Sequence, residues 1–156
     1  MSEDRTRVLI VEARFYSDLS DALLRGATDA LQALGAEHEV VTVPGVLEIP
    51  AAIAMAEEAA HRPAGAAAFD GYVALGAVIR DEDTPLELLA GETIRGLVEL
   101  SIGKRLAIGN GLVIAEDPDQ AQALAQPSGA DVGGQAARAA LTMAAVRQQL
   151  LGGARR

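Results

Sequence analysis

Apolar positions along this chain alternate between two periods, one suited to buried strands and one to amphipathic helices. Arg7-Val-Leu-Ile-Val-Glu12 is a β-branched run that predicts a strand buried on both faces. A helical stripe follows, in which Leu19, Ala22, Leu23, Gly26, Ala27, Ala30, Leu31 and Leu34 recur at spacings of three and four, and Gly35 ends it. Glu37-His-Glu-Val-Val-Thr-Val43 alternates as a second strand, which Pro44-Gly45 breaks into a loop carrying Glu48. Ala51 to Ala60 is alanine-rich and predicts a helix, and His61-Arg-Pro-Ala-Gly65 reads as a loop. Tyr72 to Leu75 predicts the third strand, and Leu86 to about Lys104 a long helix. Leu106-Ala-Ile108 and Gly111-Leu-Val-Ile114 supply a fourth strand, interrupted at Gly109-Asn-Gly111. Pro118 to Ala125 predicts a short helix, Gln126-Pro-Ser-Gly129 a loop, and Gln135 to Leu150 the last helix. Strands that alternate with helices imply a parallel sheet covered on both faces. The expected fold is a three-layer α/β/α sandwich on a four-stranded parallel sheet.

The composition narrows the partners. A length of 156 residues is read as a single domain over 1–156, long enough for a core that needs no staples. Absence of cysteine excludes disulfides, thiolate metal sites and a cysteine nucleophile. A formal charge of −9 without clustered Lys or Arg, apart from Arg155-Arg156, argues against nucleic acid. Met1-Ser-Glu-Asp-Arg-Thr-Arg7 has no apolar signal core, and no apolar run reaches the ~18 residues of a membrane span. The expected location is therefore the cytoplasm. Residues are 50% hydrophobic but only 3% aromatic, which favours close packing and leaves apolar surface for other copies of the chain.

The chemistry concentrates where Gly71-Tyr-Val-Ala-Leu-Gly-Ala-Val-Ile-Arg80 runs into Asp81-Glu-Asp-Thr-Pro-Leu-Glu87, because the junction of a strand with a helix start is where α/β proteins place ligands. Thr84-Pro85-Leu86-Glu87 has the form of a capping box with proline at the first helical position. Asp81, Glu82 and Asp83 then precede a helix N-terminus, whose positive end they would neutralise. As a hard-cation loop these acids lack a glycine turn and further ligands. Glu48 lies between Leu47 and Ile49 in a loop flanked by prolines, a placement that points to function. His38 and His61 lie outside these segments and read as solvated side chains, while Gly133-Gly134 reads as the start of the last helix.

From Val8 to about Val146 the chain resembles lumazine synthase, the penultimate enzyme of riboflavin synthesis, and the order and spacing of its landmarks carry the likeness. Arg14-Phe15 resembles the family segment whose aromatic stacks on the pyrimidine ring, and Gly45-Val-Leu-Glu-Ile-Pro50 the loop whose acid holds ribityl hydroxyls. Gly76-Ala-Val-Ile-Arg80 is similar to the segment whose backbone meets the ring. Gly91-Glu-Thr-Ile-Arg-Gly96, Gly109-Asn-Gly111 and Gly133-Gly-Gln-Ala-Ala137 are further landmarks. The resemblance implies substrate-binding roles for Phe15, Val46, Leu47, Glu48, Ala77, Val78, Ile79 and Asn110. It also implies condensation of 5-amino-6-ribitylaminouracil with 3,4-dihydroxy-2-butanone 4-phosphate, no metal or organic cofactor, and assembly into pentamers or shells of pentamers with sites between neighbouring subunits.

The phosphate half departs from that pattern. The family's glycine and threonine fall on Asp81 and Asp83, its catalytic histidine on Pro85, its phosphate-binding arginine near Leu124 and its lysine near Val132. Two like charges ~4 Å apart at an effective dielectric of ~20 repel by about 4 kcal/mol, so this carboxylate cluster should repel a phosphate. The expectation is a lumazine synthase that works with an altered phosphate site and retains the ring and ribityl half. Its rivals are a non-catalytic binder of lumazine or riboflavin and a self-assembling shell protein.

Overall fold

The computed structural model describes residues 5–63 and 68–152. In chain order they form β1 (Arg7–Ala13), α1 (Ser17–Ala33), β2 (Glu37–Val43), a 3₁₀ turn (Val46–Glu48), α2 (Ile49–Ala60), β3 (Gly71–Ile79), α3 (Leu86–Lys104), β4 (Ile108–Ala115), α4 (Pro118–Ala125) and α5 (Val132–Leu151). The strands make one four-stranded parallel sheet in the order β2-β1-β3-β4.

Side-chain alternation along the central strands sorts the helices into layers. Val8, Ile10, Val73 and Leu75 face one side and pack with Leu23 and Leu31 of α1, Ala121 of α4 and Ala137 of α5. Leu9, Val11, Tyr72 and Ala74 face the other and pack with Ile53 of α2 and Leu97 of α3. Each of these side chains removed from water contributes about 1.5–3 kcal/mol when it is Val, Leu or Ile. Buried Tyr72 also needs a partner for its hydroxyl, which donates to Glu57 of α2 at 2.7 Å. Burial, and then the Glu57 carboxylate, push its phenol pKa upward.

The strand-and-helix alternation, the parallel sheet and the layers predicted from the sequence are all present, and β2, α3 and α4 have the predicted bounds. Several boundaries differ, each for a physical reason. The third strand is not limited to 72–75; it runs from Gly71 to Ile79 because Gly76 to Ile79 find ladder partners in Leu112 to Ala115. The fourth strand is not interrupted at Gly109-Asn-Gly111. A Cβ on Gly109 would stand 1.9 Å from the Ala136 carbonyl oxygen of α5, so its glycine admits a helix at close range instead of breaking the strand. Leu106 lies outside the strand and Ala115 inside it.

The last helix begins at Val132 rather than Gln135, since Asp131 caps it by accepting the Gly134 N–H at 3.2 Å. A Cβ on Gly133 would lie 2.2 Å from the Leu23 carbonyl oxygen, so α1 and α5 meet backbone to backbone there. The second strand does not alternate in burial: it is an edge strand, and Glu39 to Thr42 are all exposed. Leu34 falls past the end of α1 and is exposed, unlike the rest of its stripe. The α2 helix begins at Ile49, with Pro50 in its first turn. Of the predicted 61–65 loop, Ala64 and Gly65 lie outside the described residues, as do Met1 to Asp4 and Arg155-Arg156.

Candidate functional site

In an open parallel sheet the strand order reverses between two neighbours whose connections leave in opposite directions, and the chain opens a crevice at their carboxyl ends. Here those neighbours are β1 and β3, and the crevice is a cleft of about 210 Å³. Ala13, Phe15 and Tyr16 line it from the end of β1, Val46, Leu47 and Glu48 from the 3₁₀ turn, Ala77 and Val78 from β3, and Thr84 and Leu89 from the approach to α3.

Phe15 is 77% exposed and stands edge-on to Tyr16, with centroids 4.9 Å apart and planes at 85°. An exposed ring on a cleft wall offers an apolar face to a flat heterocycle. Val46 is a buried part of the lining, and Glu48 brings a carboxylate, an acceptor for hydroxyl donors. Among the described residues no Arg, Lys or His lines this cleft.

Six of the eight predicted substrate-binding residues therefore share one cavity: Phe15, Val46, Leu47, Glu48, Ala77 and Val78. Ile79 does not. It lies on the same face of β3 as Ala77, one pair further along, and packs with the apolar layer beneath α1. Asn110 also lies elsewhere: it pairs with Ala74, whereas Ala77 pairs with Val113, which sets Asn110 about 10 Å back along the edge strand β4. Its Oδ1 accepts the Leu112 N–H at 3.0 Å. Sequence reasoning missed Tyr16, Thr84 and Leu89. The aromatic pair Phe15-Tyr16 was a visible signal for Tyr16, but nothing marks Leu89 among the apolar positions of α3.

The turn into α3 corrects the capping-box reading. Pro85, not Thr84, is the residue before the first helical position, and no side chain caps the helix. Instead the Asp81 Oδ1 accepts the backbone N–H of Asp83 at 2.9 Å and of Thr84 at 2.6 Å. The Thr84 hydroxyl, and then those two N–H groups, hold the Asp81 carboxyl below its usual range. Glu87 does not reach back to the turn; it pairs with Arg80, which also donates its Nε–H to Glu116 Oε1 at 2.6 Å. Hydrogen bonds to Glu87 and then Glu116 raise the Arg80 pKa, and the same pairing lowers that of Glu87. The cation nearest this turn is thus already matched by two carboxylates.

Leu124 and Val132 are half-buried and pack on the apolar layer with α1. Beside Val132 the Asp131 carboxylate occupies the start of α5, 3.7 Å from Arg138. Among the described residues no group of three carboxylates or imidazoles converges as a metal site. His61 is exposed, with Nδ1 2.7 Å from the Glu57 carbonyl oxygen.

A parallel sheet ordered 2-1-3-4, with an apolar, carboxylate-bearing cleft at its reversal point, defines a doubly wound α/β protein with a small-molecule crevice. Residues 5–148 match the family profile of 6,7-dimethyl-8-ribityllumazine synthase. The chain is 52% identical over 143 residues to 6,7-dimethyl-8-ribityllumazine synthase 1 of Rhizobium meliloti (strain 1021), covering 92% of each chain. It is 49% identical over 148 residues to 6,7-dimethyl-8-ribityllumazine synthase of Agrobacterium fabrum (strain C58), covering 95% of this chain and 99% of that one. The protein belongs to the 6,7-dimethyl-8-ribityllumazine synthase family. Among the described residues no helix is long and apolar enough to cross a membrane.

Proposed function

We propose that the protein acts in riboflavin biosynthesis in the cytoplasm, seating the ring and ribityl chain of 5-amino-6-ribitylaminouracil in the β1/β3 cleft and condensing it with 3,4-dihydroxy-2-butanone 4-phosphate, with loss of phosphate and water. The observation that carries this reading is the convergence of Phe15, Glu48, Ala77 and Val78 on one cavity, which pairs an apolar ring face with an acceptor for hydroxyls. Holding two reactants together supplies much of such a rate, while general acid–base help typically adds ~10²–10⁴-fold. Proline at position 85 removes the second contribution and leaves the first.

The working unit in this reading is an oligomer in which Asn110, on the exposed edge of β4, completes the cleft of a neighbouring subunit. Met55 of α2 and Leu88, Val98 and Ile102 of α3 leave large apolar side chains exposed, as a surface for other copies requires. Light scattering at micromolar protein tests this. A monodisperse species of about the chain mass, 16.1 kDa, overturns it.

A second reading has its own observation. Asp81 on the turn amides, Pro85, and apolar Leu124 and Val132 are what it starts from, and it makes the protein a family member that binds lumazine or riboflavin without turnover, or that serves as a shell. One steady-state assay with both substrates, beside titrations with 6,7-dimethyl-8-ribityllumazine and with phosphate, separates them. Turnover within about tenfold of an ordinary family member, ~1.4 kcal/mol in barrier, establishes the synthase and shows that another residue supplies the missing cation. Tight lumazine binding without turnover selects the binder. Absence of both turnover and binding of 6,7-dimethyl-8-ribityllumazine overturns the synthase and the binder alike and selects the shell.

A further inference from the structure

Glu12 is 4% exposed in the central strand β1, a position where an ionised carboxylate survives only if it is paired and hydrogen-bonded. It is both. Its Oε2 accepts the Thr42 hydroxyl of β2 at 2.7 Å, and its Oε1 accepts the Arg14 Nη1–H at 2.7 Å. The other terminal nitrogen of Arg14 donates to Asp21 on the second turn of α1. Thr42, Glu12, Arg14 and Asp21 thus form one polar strut from the edge strand, across the central strand, through the turn and onto the following helix.

That turn is three residues long, Arg14-Phe15-Tyr16, and it carries the ring that walls the cleft. Phe15 touches one other ring, Tyr16, and is largely exposed, so core packing does not fix it. Tyr16 does not hold the turn by capping, because no side chain caps the start of α1. Arg14 is different: its guanidinium is only 28% exposed and held at both ends. Burial alone would lower its pKa, but the hydrogen bonds to Asp21 and Glu12 outweigh this and raise it, so the cation is retained.

We infer that Glu12 and Arg14, anchored by Thr42 and Asp21, are positioning residues that set the orientation of the Phe15 ring for stacking on the heterocycle in the cleft. The inference rests on the reading that this cleft binds a ribityl heterocycle. A planar guanidinium held by two carboxylates fixes direction as well as distance, which lysine would not do. The alternative is that the strut merely ties β1 to its neighbours, with no consequence for Phe15.

The chain has two phenylalanines, which makes the ring directly observable. In protein labelled with 4-fluorophenylalanine, ¹⁹F NMR gives one resonance for Phe15 and one for Phe69. Phe69 precedes β3 at the opposite end of the sheet, under the Arg7 guanidinium at 4.7 Å, and serves as the internal control. Arg14→Gln and Asp21→Asn are expected to shift or broaden the Phe15 resonance and leave that of Phe69 in place. An unchanged Phe15 resonance in both variants overturns the inference. Asp21 is exposed, so its variant tests the strut even where Glu12→Gln does not fold.

The second arm is titration with 6,7-dimethyl-8-ribityllumazine. Arg14→Gln is expected to weaken binding about tenfold in the wild-type background and not at all when Phe15→Ala is also present, because two groups that act through one contact are not additive. Equal weakening in both backgrounds shows that Arg14 does not act through Phe15, and overturns the inference. Failure of the wild-type protein to bind lumazine sinks the proposed function instead, and the resonance measurement still decides the role of the strut.

Discussion

The Asp81 carboxylate lies 2.6 Å from the backbone nitrogen of Thr84, a donor on the turn that leads into α3. An internal anion on those amides competes with an external one. It does so by occupying donors and by adding negative charge, two effects of the same sign.

Replacing Asp81 with glycine is therefore expected to strengthen binding of inorganic phosphate at least about tenfold, the ~1.4 kcal/mol that corresponds to a fraction of the repulsion removed. Glu82 and Asp83 remain and limit the gain. Calorimetric titration of both proteins with phosphate measures it. Equal affinities would show that Asp81 does not occlude an anion site.

Glu48 is the carboxylate of the cleft. Glu48→Gln keeps the size and exchanges a charged acceptor for a neutral amide, so binding of a ribityl compound should weaken by about ten- to a hundredfold, as expected for hydrogen bonds to charged groups worth ~1.5–3 kcal/mol. Comparing 6,7-dimethyl-8-ribityllumazine with a ring analogue lacking the ribityl chain isolates the effect. A variant that loses affinity for both equally would place Glu48 against the ring instead.

Acid should loosen the turn into α3 in a defined direction. The pKa values of Asp81 and Glu87 are lower in the folded protein than their ordinary values of 3.8 and 4.5. Their contribution to stability is then complete above the ordinary values and is lost as pH falls through the depressed folded ones. Denaturant midpoints measured between about pH 6 and about pH 2.5 should fall on acidification, and Asp81→Asn should flatten part of that slope. A wild-type profile identical to that of the variant would contradict this assignment.

Gly133→Ala places a methyl group against the backbone of α1. Overpacking of this kind typically costs ~1–3 kcal/mol, and a lowered melting temperature with unchanged ligand affinity is the expected result. An unaffected melting temperature would mean that the two helices separate easily.

The periodicities of β1, α1, α3 and α4 were legible because each element buries one clear face, or both, and burial is what hydrophobic pattern records. The errors have a common source. Gly109 and Gly111 signalled a break, yet helix α5 requires the small size of Gly109 and strand β3 that of Gly111, neighbours that are invisible to local pattern. Thr84 and Glu87 fitted a capping box, but Asp81 and Arg80 bind those residues more directly, and no local spacing reveals such competition. For the site, the cleft residues that lie within contiguous motifs were recognisable. Asn110 was named by resemblance alone, and its place on an outer edge, away from the cleft of its own chain, emerges only from strand order.

The backbone contact between Gly133 and Leu23 has a further consequence for how a protein like this changes over time. It anchors the first turn of α5 to α1 by main-chain atoms, which no side-chain replacement at the adjacent position alters. Val132 is mounted on that anchored turn. A change at Val132 therefore alters a side chain that packs on the apolar layer and leaves the main-chain contact between the two helices in place.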